Sequence, residues 1–275
     1  MSTARYPVLV DGVMHASAPR STADARGFGV FDTLLAEDGL RWFEDRHLAR
    51  LRAACDHFAI PAFERWDVAS ELARFGAGLG ARAALVRTTA TRDPRTGQAS
   101  LVLEARAPRV VPERGVELLL VDAVPDPLGA WKTTNRLARV LQGEQAERAG
   151  CFDALLRLPT GAVVEAARAN LFAVVDGLVR TPPLAAGGLP GIVRGLLLET
   201  LADVREAELC IEDLRRASEV WLTSSGARIA PVRAVRGLRE DLPGSAGPRA
   251  VEAREALRGQ EAEFRRAYRA RTPRL

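Results

Sequence analysis

Lysine is almost absent from this chain: of its 39 basic side chains, all but Lys132 are arginine. Asparagine is nearly as scarce, occurring only as Asn135 and Asn170. The three cysteines, Cys55, Cys151 and Cys210, are widely spaced and odd in number, which argues against a disulfide framework or a metal knuckle. Three histidines (His15, His47, His57) are too few for a histidine-rich metal site. No apolar run approaches the roughly 18 residues a membrane-spanning helix needs, and MSTARYPVLVDG lacks the apolar core of a secretory signal. The expected location is therefore cytoplasmic, without a membrane partner. The formal charge is +4, but the arginines are interleaved with 35 acidic residues and form no basic block. No nucleic-acid partner is expected from that pattern.

What remains is the composition of a globular protein, 47% hydrophobic and 27% charged. Strand patterns occupy YPVLVDGV, the two arms of FGVFDTLLAEDGLRWFE, and a pair around DPRTGQ, with Asp-Gly pairs marking tight hairpins. The apolar spacing of DRHLARLRAACDHFAI predicts a helix, as does that of WDVASELARFGAGL. EARAPRVVPERG reads as a connection between domains. Beyond it come a strand, an amphipathic helix over NRLARVLQGEQAERAG, a series of short strands, and helices over IVRGLLLETLADV, DLRRASE and the tail. These patterns predict an α+β protein with an N-terminal domain over 1–108, a linker over 109–115 and a second domain over 116–275.

A lone lysine among arginines suggests a function that guanidinium cannot perform. An ε-amine can shed its proton and attack a carbonyl carbon, whereas guanidinium stays protonated. Lys132 is thus a candidate nucleophile that could anchor an aldehyde cofactor. On residue count alone, a surface lysine spared by chance carries equal weight. Both asparagines fall in segments around the same candidate site, three residues after Lys132 and five after Glu165.

The elements Lys-x-x-Asn (132–135), Glu-x-x-x-x-Asn-Leu-Phe (165–172) and Leu-Pro-Gly-Ile-x-Arg (189–194) occur in order. Together they resemble the signature of the class IV, or fold-type IV, pyridoxal 5'-phosphate enzymes, over about residues 8–235. That family includes branched-chain and D-amino-acid aminotransferases, (R)-amine aminotransferases and aminodeoxychorismate lyase. The resemblance implies a two-domain fold with the cofactor between the domains, and a homodimer. It implies that Lys132 carries the cofactor as a Schiff base and later shuttles the α-proton. Glu165 would face the pyridine nitrogen, and Asn170 belongs to the same element. Arg50, the amides of Ile192 and Val193 after Gly191, and Ser225 would hold the phosphate. Phe31, Arg95 in the TATRDPRTG loop beside Arg92, and the amides of Gly226 and Ala227 would line the substrate side.

Departures bear on the reaction. The chain has GFGVFDT, where the family usually has Gly-Asp-Gly and then glutamate in place of Asp32. It also lacks the tyrosine of the branched-chain Lys-x-x-x-Asn-Tyr element, and has only Tyr6 and Tyr268 overall. The expected activity is amino transfer between a D-amino acid or small amine and a 2-oxo acid. AERAGCFDALL, which resembles the D-amino-acid enzymes, favours it. The alternative is the lyase that releases pyruvate and 4-aminobenzoate from 4-amino-4-deoxychorismate, favoured by Lys-x-x-Asn-Arg-Leu.

Overall fold

The computed structural model describes residues 8–15 and 27–271. Tyr6, which the sequence placed at the start of the first strand, lies outside them. The chain divides into two compact units that interleave in sequence: residues up to 108, 131–135 and from 264 form one, and 109–130 with 136–263 form the other. The sequence had suggested a single cut at 109–115. Residues 131–135 join the first unit because their backbone pairs with one of its strands, as described below.

The first unit contains an antiparallel six-stranded sheet in the order β2-β1-β6-β5-β3-β4. Its strands are β1 Val8–Val10, β2 Val13–His15, β3 Gly29–Glu37, β4 Leu40–Arg41, β5 Ala84–Arg92 and β6 Ala99–Arg106. Two of its hairpins turn on Asp-Gly pairs, Asp11-Gly12 (φ 47° and 85°) and Asp38-Gly39 (φ 53° and 74°). That is the left-handed pair a two-residue hairpin requires, which is why these dipeptides signalled the turns. Helices α1 Glu44–His57, α2 Ala62–Arg65 and α3 Val68–Leu79 supply the remaining core. The Asp67 side chain starts α3 by accepting from Ser70 N at 3.1 Å. Leu51, Leu72 and Phe75 are fully buried against Leu101 and Leu103, each stabilising the unit by about 1.5–3 kcal/mol.

In the second unit the strands are β7 Val116–Asp122, β8 Asp153–Arg157, β9 Val163–Ala166, β10 Asn170–Val175, β11 Leu178–Thr181, β12 Val204–Glu206, β13 Glu219–Ser224 and β14 Arg228–Arg236. They run in the order β12-β11-β10-β13-β14-β7-β8-β9, and β9 pairs again with β10. The strands from β10 to β9 therefore close into a barrel, whose seam is the single pairing of Asn170 with Glu165. Phe172 and Trp221, both fully buried, stack at 5.5 Å between ring centres inside this unit. Such a pair adds about 0.5–1.5 kcal/mol beyond its burial. Helices α4 Leu137–Arg148, α5 Ile192–Thr200 and α6 Ile211–Arg216 belong to this unit, and α7 Pro248–Arg271 runs from it into residues of the first, from Phe264. None of the helices among the described residues is long and apolar enough to cross a membrane.

Helix α4 departs from expectation. Its apolar positions Leu137, Val140 and Leu141 are exposed (70%, 52% and 52%), while Gly143 and Ala146 are buried. The buried face is made of small residues because the Arg168 guanidinium lies against Gly143. The helix is two-sided, but its bulky apolar side is the outer one.

Candidate active site

The first unit holds the lysine by its backbone. Phe31 N donates to Lys132 O at 2.8 Å, and Thr134 N donates to Gly29 O at 2.8 Å, so 132–134 run as an added edge along β3. Two glycines of the GFG stretch make the crossing possible. A Cβ on Gly27, whose φ is +64°, would collide with Asn135 Oδ1, and one on Gly29 would press on Thr91 and Thr134. The departure from Gly-Asp-Gly at Phe28 thus leaves both essential glycines in place. Trp131 anchors the segment from the other side of Lys132. It packs against the unit's core and stacks on His57 at 4.3 Å.

On β3, Phe31 and Asp32 point to opposite faces, as successive strand residues do. The Lys132 Nζ lies 5.0 Å from the centre of the Phe31 ring, and the Arg87 guanidinium carbon of β5 lies 3.8 Å from the same ring. Phe31, Lys132 and Arg87 therefore form one cluster. Asp32 instead faces α1, where His47 Nδ1 lies 2.6 Å from Oδ1 and Arg50 donates from Nε at 2.7 Å to Oδ2. A second Arg50 bond, Nη2 to Oδ1, is 3.0 Å long. Burial pushes the Asp32 carboxyl up, but the charges of Arg50 and His47 outweigh it and hold the group far below the usual carboxylate range. Burial also lowers His47, against the pull of Asp32 and with help from Arg50 and Lys132. A guanidinium fixed along one edge by a buried carboxylate is well suited to receive a phosphate.

The second unit assembles Glu165, Asn170 and the loop before α5. Asn170 Nδ2 donates to Leu189 O at 2.8 Å and to Glu165 Oε2 at 3.3 Å, while Leu189 N donates to the same Oε2 at 3.1 Å. On the other oxygen, Arg139 Nη1 lies 2.6 Å from Glu165 Oε1. Gly191 precedes α5, and a Cβ there would collide with Asn170 Oδ1. The amides of Ile192 and Val193 stand in the first turn of α5, where helix N–H groups lack intrahelical partners and favour an anion. Ser225, Gly226 and Ala227 form the turn from β13 to β14. There Ala227 N donates to Ser224 Oγ at 3.1 Å, so this amide already has an acceptor.

Each unit by itself carries groups of the kind that bind pyridoxal 5'-phosphate. The first unit offers an amine and a fixed guanidinium; the second offers a buried carboxylate, a helix N-terminus and a glycine cradle that Asn170 fills. Cys55 is no competing nucleophile, because burial pushes its thiol up to about 12.

Arg95 is not gathered into either cluster. It sits exposed in the 93–98 hairpin loop, its amide donating to Asp93 Oδ1 at 2.8 Å. The guanidinium of Arg92 lies over the Phe28 ring at 4.6 Å. The cation that reaches the lysine cluster is Arg87, which the sequence reading passed over. Its signal was an arginine inside the largely buried strand ALVRTTATR. Arg139 and His47 were passed over too. An arginine in the first turn of a helix, against the helix dipole, marks the former.

A family model for class IV amino-transferases matches residues 29–235. The chain is 31% identical over 232 residues to a protein of Methanocaldococcus jannaschii described as a putative branched-chain-amino-acid aminotransferase, covering 77% of this chain and 80% of that one. The 4-amino-4-deoxychorismate lyase from Pseudomonas aeruginosa superposes with a TM-score of 0.79 at 30% identity, over 92% of this chain and 98% of the other. A PLP-bound hypothetical aminotransferase from Mycobacterium tuberculosis shares the fold, with a TM-score of 0.75 at 24% identity over 91% and 96% of the two chains.

Proposed function

The chain belongs to the class IV amino-transferase family, whose enzymes use pyridoxal 5'-phosphate, and we propose that it moves an amino group between an amino donor and a 2-oxo acid. The observation that carries this reading is the clamp on Lys132: the only lysine is held through its own carbonyl and the Thr134 amide after it, with Trp131 packed before it, at a crossing kept open by two glycines. When bound, the cofactor supplies an aldehyde that condenses with amines and a ring that takes up the electron pair left by a departing proton. Lys132 Nζ would hold that aldehyde, and once released would take and return the proton at the substrate carbon bearing the amine. Glu165 holds the proton of the ring nitrogen. The resemblance assigns the phosphate to Arg50, the Ile192 and Val193 amides and Ser225. Phe31, Arg87 and the Gly226 amide orient the substrate, and Arg87 takes its carboxylate in place of Arg95.

D-amino acids and small amines remain proposed donors on the resemblance of AERAGCFDALL, and the archaeal relative adds branched-chain amino acids. A second reading is kept by Lys-x-x-Asn-Arg and by the 30% identity to the Pseudomonas enzyme: lyase action on 4-amino-4-deoxychorismate. The enzyme is proposed to work as a homodimer. The test is purified protein loaded with cofactor and given D-alanine, a branched-chain amino acid or a small amine with 2-oxoglutarate, and separately aminodeoxychorismate. Keto product that depends on the acceptor supports the aminotransferase; 4-aminobenzoate and pyruvate without an acceptor would establish the lyase instead.

A further inference from the structure

Arg139 stands in the first turn of α4, a turn without any acidic residue. A cation there opposes the helix dipole, and arginine ordinarily reaches for water. Yet its side chain is only 11% exposed and spans two carboxylates, with Nε 3.3 Å from Asp126 Oδ2 and Nη1 2.6 Å from Glu165 Oε1. Nothing in the packing of α4 on small residues requires this. The arrangement is explained if the arginine serves Glu165.

The donor count supports that view. Each carboxylate oxygen offers two acceptor positions. Glu165 Oε2 is filled by Asn170 Nδ2 and Leu189 N. Oε1 has only the Arg139 ion contact against it among the described residues and accepts no hydrogen bond, so it stays open as an acceptor inside a side chain that is 5% exposed. Oε1 is therefore the oxygen left for the pyridine nitrogen, and Arg139 places a positive charge on that same atom.

We propose that Arg139 is a positioning residue of the cofactor site, acting through Glu165: it fixes the plane of the carboxylate and balances the charge that faces the ring nitrogen. This rests on the cofactor reading above. Asp126 completes the chain by sharing Arg139, and itself accepts from Leu128 N at 2.9 Å.

The test uses full-length protein loaded with pyridoxal 5'-phosphate, and follows the absorbance of the bound cofactor against pH together with its rate of release. Removing a nearby positive charge makes every neighbouring group bind protons more tightly. In Arg139→Gln the titration midpoint should rise by roughly 0.5–1 unit, less than the 1–3 units of a charge in direct contact, because Arg139 reaches the ring only through Glu165. Release should quicken, kcat should fall more than KM changes, and Arg139→Lys should restore the midpoint. Asp126→Asn, which removes a negative charge instead, should move it down, and serves if Arg139→Gln fails to fold. Midpoints unchanged in Arg139→Gln and Asp126→Asn, with only a lower melting temperature, would reduce Arg139 to a structural ion pair. A wild type that takes up no cofactor would overturn the cofactor reading and this inference together.

Discussion

Replacing Asp32 by asparagine keeps the shape of the side chain and removes the charge that Arg50 and His47 converge on. Asp32 is 4% exposed and accepts from Thr33 N at 2.6 Å as well as from Arg50. Breaking a buried ion pair from one side costs about 3–5 kcal/mol, because the other charge is left without compensation. Asparagine can still accept one hydrogen bond, which puts the estimate near the lower end, about 3 kcal/mol. For a chain of this size that lowers the melting temperature by roughly 6–12 °C. The pH profile adds a signature. The folded Asp32 carboxyl lies below its unfolded value, so its stabilisation is present above about pH 4 and drains as pH falls further. His47 is also lowered on folding, so its contribution is full above about pH 6.5 and is lost on acidification. Asp32→Asn should lose the steep fall below pH 4 and keep the loss that begins near pH 6.5. Thermal melts from pH 3 to 8, with Arg50→Met and the double variant, check this. A variant within about 1 kcal/mol of the wild type, or strict additivity in the double variant, would refute the reasoning.

Gly191→Ala should displace Asn170 from Glu165 and Leu189, destabilise by about 1–3 kcal/mol and speed cofactor release; release at the wild-type rate would contradict the cradle. Gly27→Ala should cost about 1 kcal/mol for its left-handed backbone, plus the displacement of Asn135. It should also lower the fraction of protein that takes up cofactor, read from absorbance. Arg87→Gln should raise KM for a carboxylate-bearing donor roughly tenfold, the equivalent of about 1.4 kcal/mol, while leaving a simple amine little changed. Arg95→Gln should alter neither, and a large KM effect there would return the carboxylate role to the 93–98 loop.

The candidate residues that sequence singles out are those where one residue type is chemically irreplaceable or rare, or where a spacing matches the family's. Lys132 stood out because guanidinium cannot do what an amine does, Asn170 because asparagine is so scarce, and Glu165 through the motif shared with the family; that the last two pair across the barrel seam is visible only in the fold. The Asp-Gly hairpins were legible because left-handed backbone restricts the choice of residue. Asp176-Gly177 (φ 52° and 77°), between β10 and β11, follows the same rule. Long-range pairing left no such local mark. The parallel pairing of Val116 on β7 with Val232 on β14 joins positions more than a hundred residues apart, and the membership of 131–135 in the first unit depends on β3 meeting a distant edge. Arg95 and Arg87 look alike in a chain built on arginine. Only strand alternation and the Phe31 ring separate them.

The chemistry assigned to Lys132 is tested most directly by trapping. Protein incubated with pyridoxal 5'-phosphate, reduced with borohydride, digested and analysed by mass spectrometry should carry the phosphopyridoxyl mass on the peptide containing Lys132. Lys132→Arg, which keeps the charge, should carry none and show no amino transfer. An adduct found only on peptides without Lys132, or amino transfer at the wild-type rate in Lys132→Arg, would contradict the assignment.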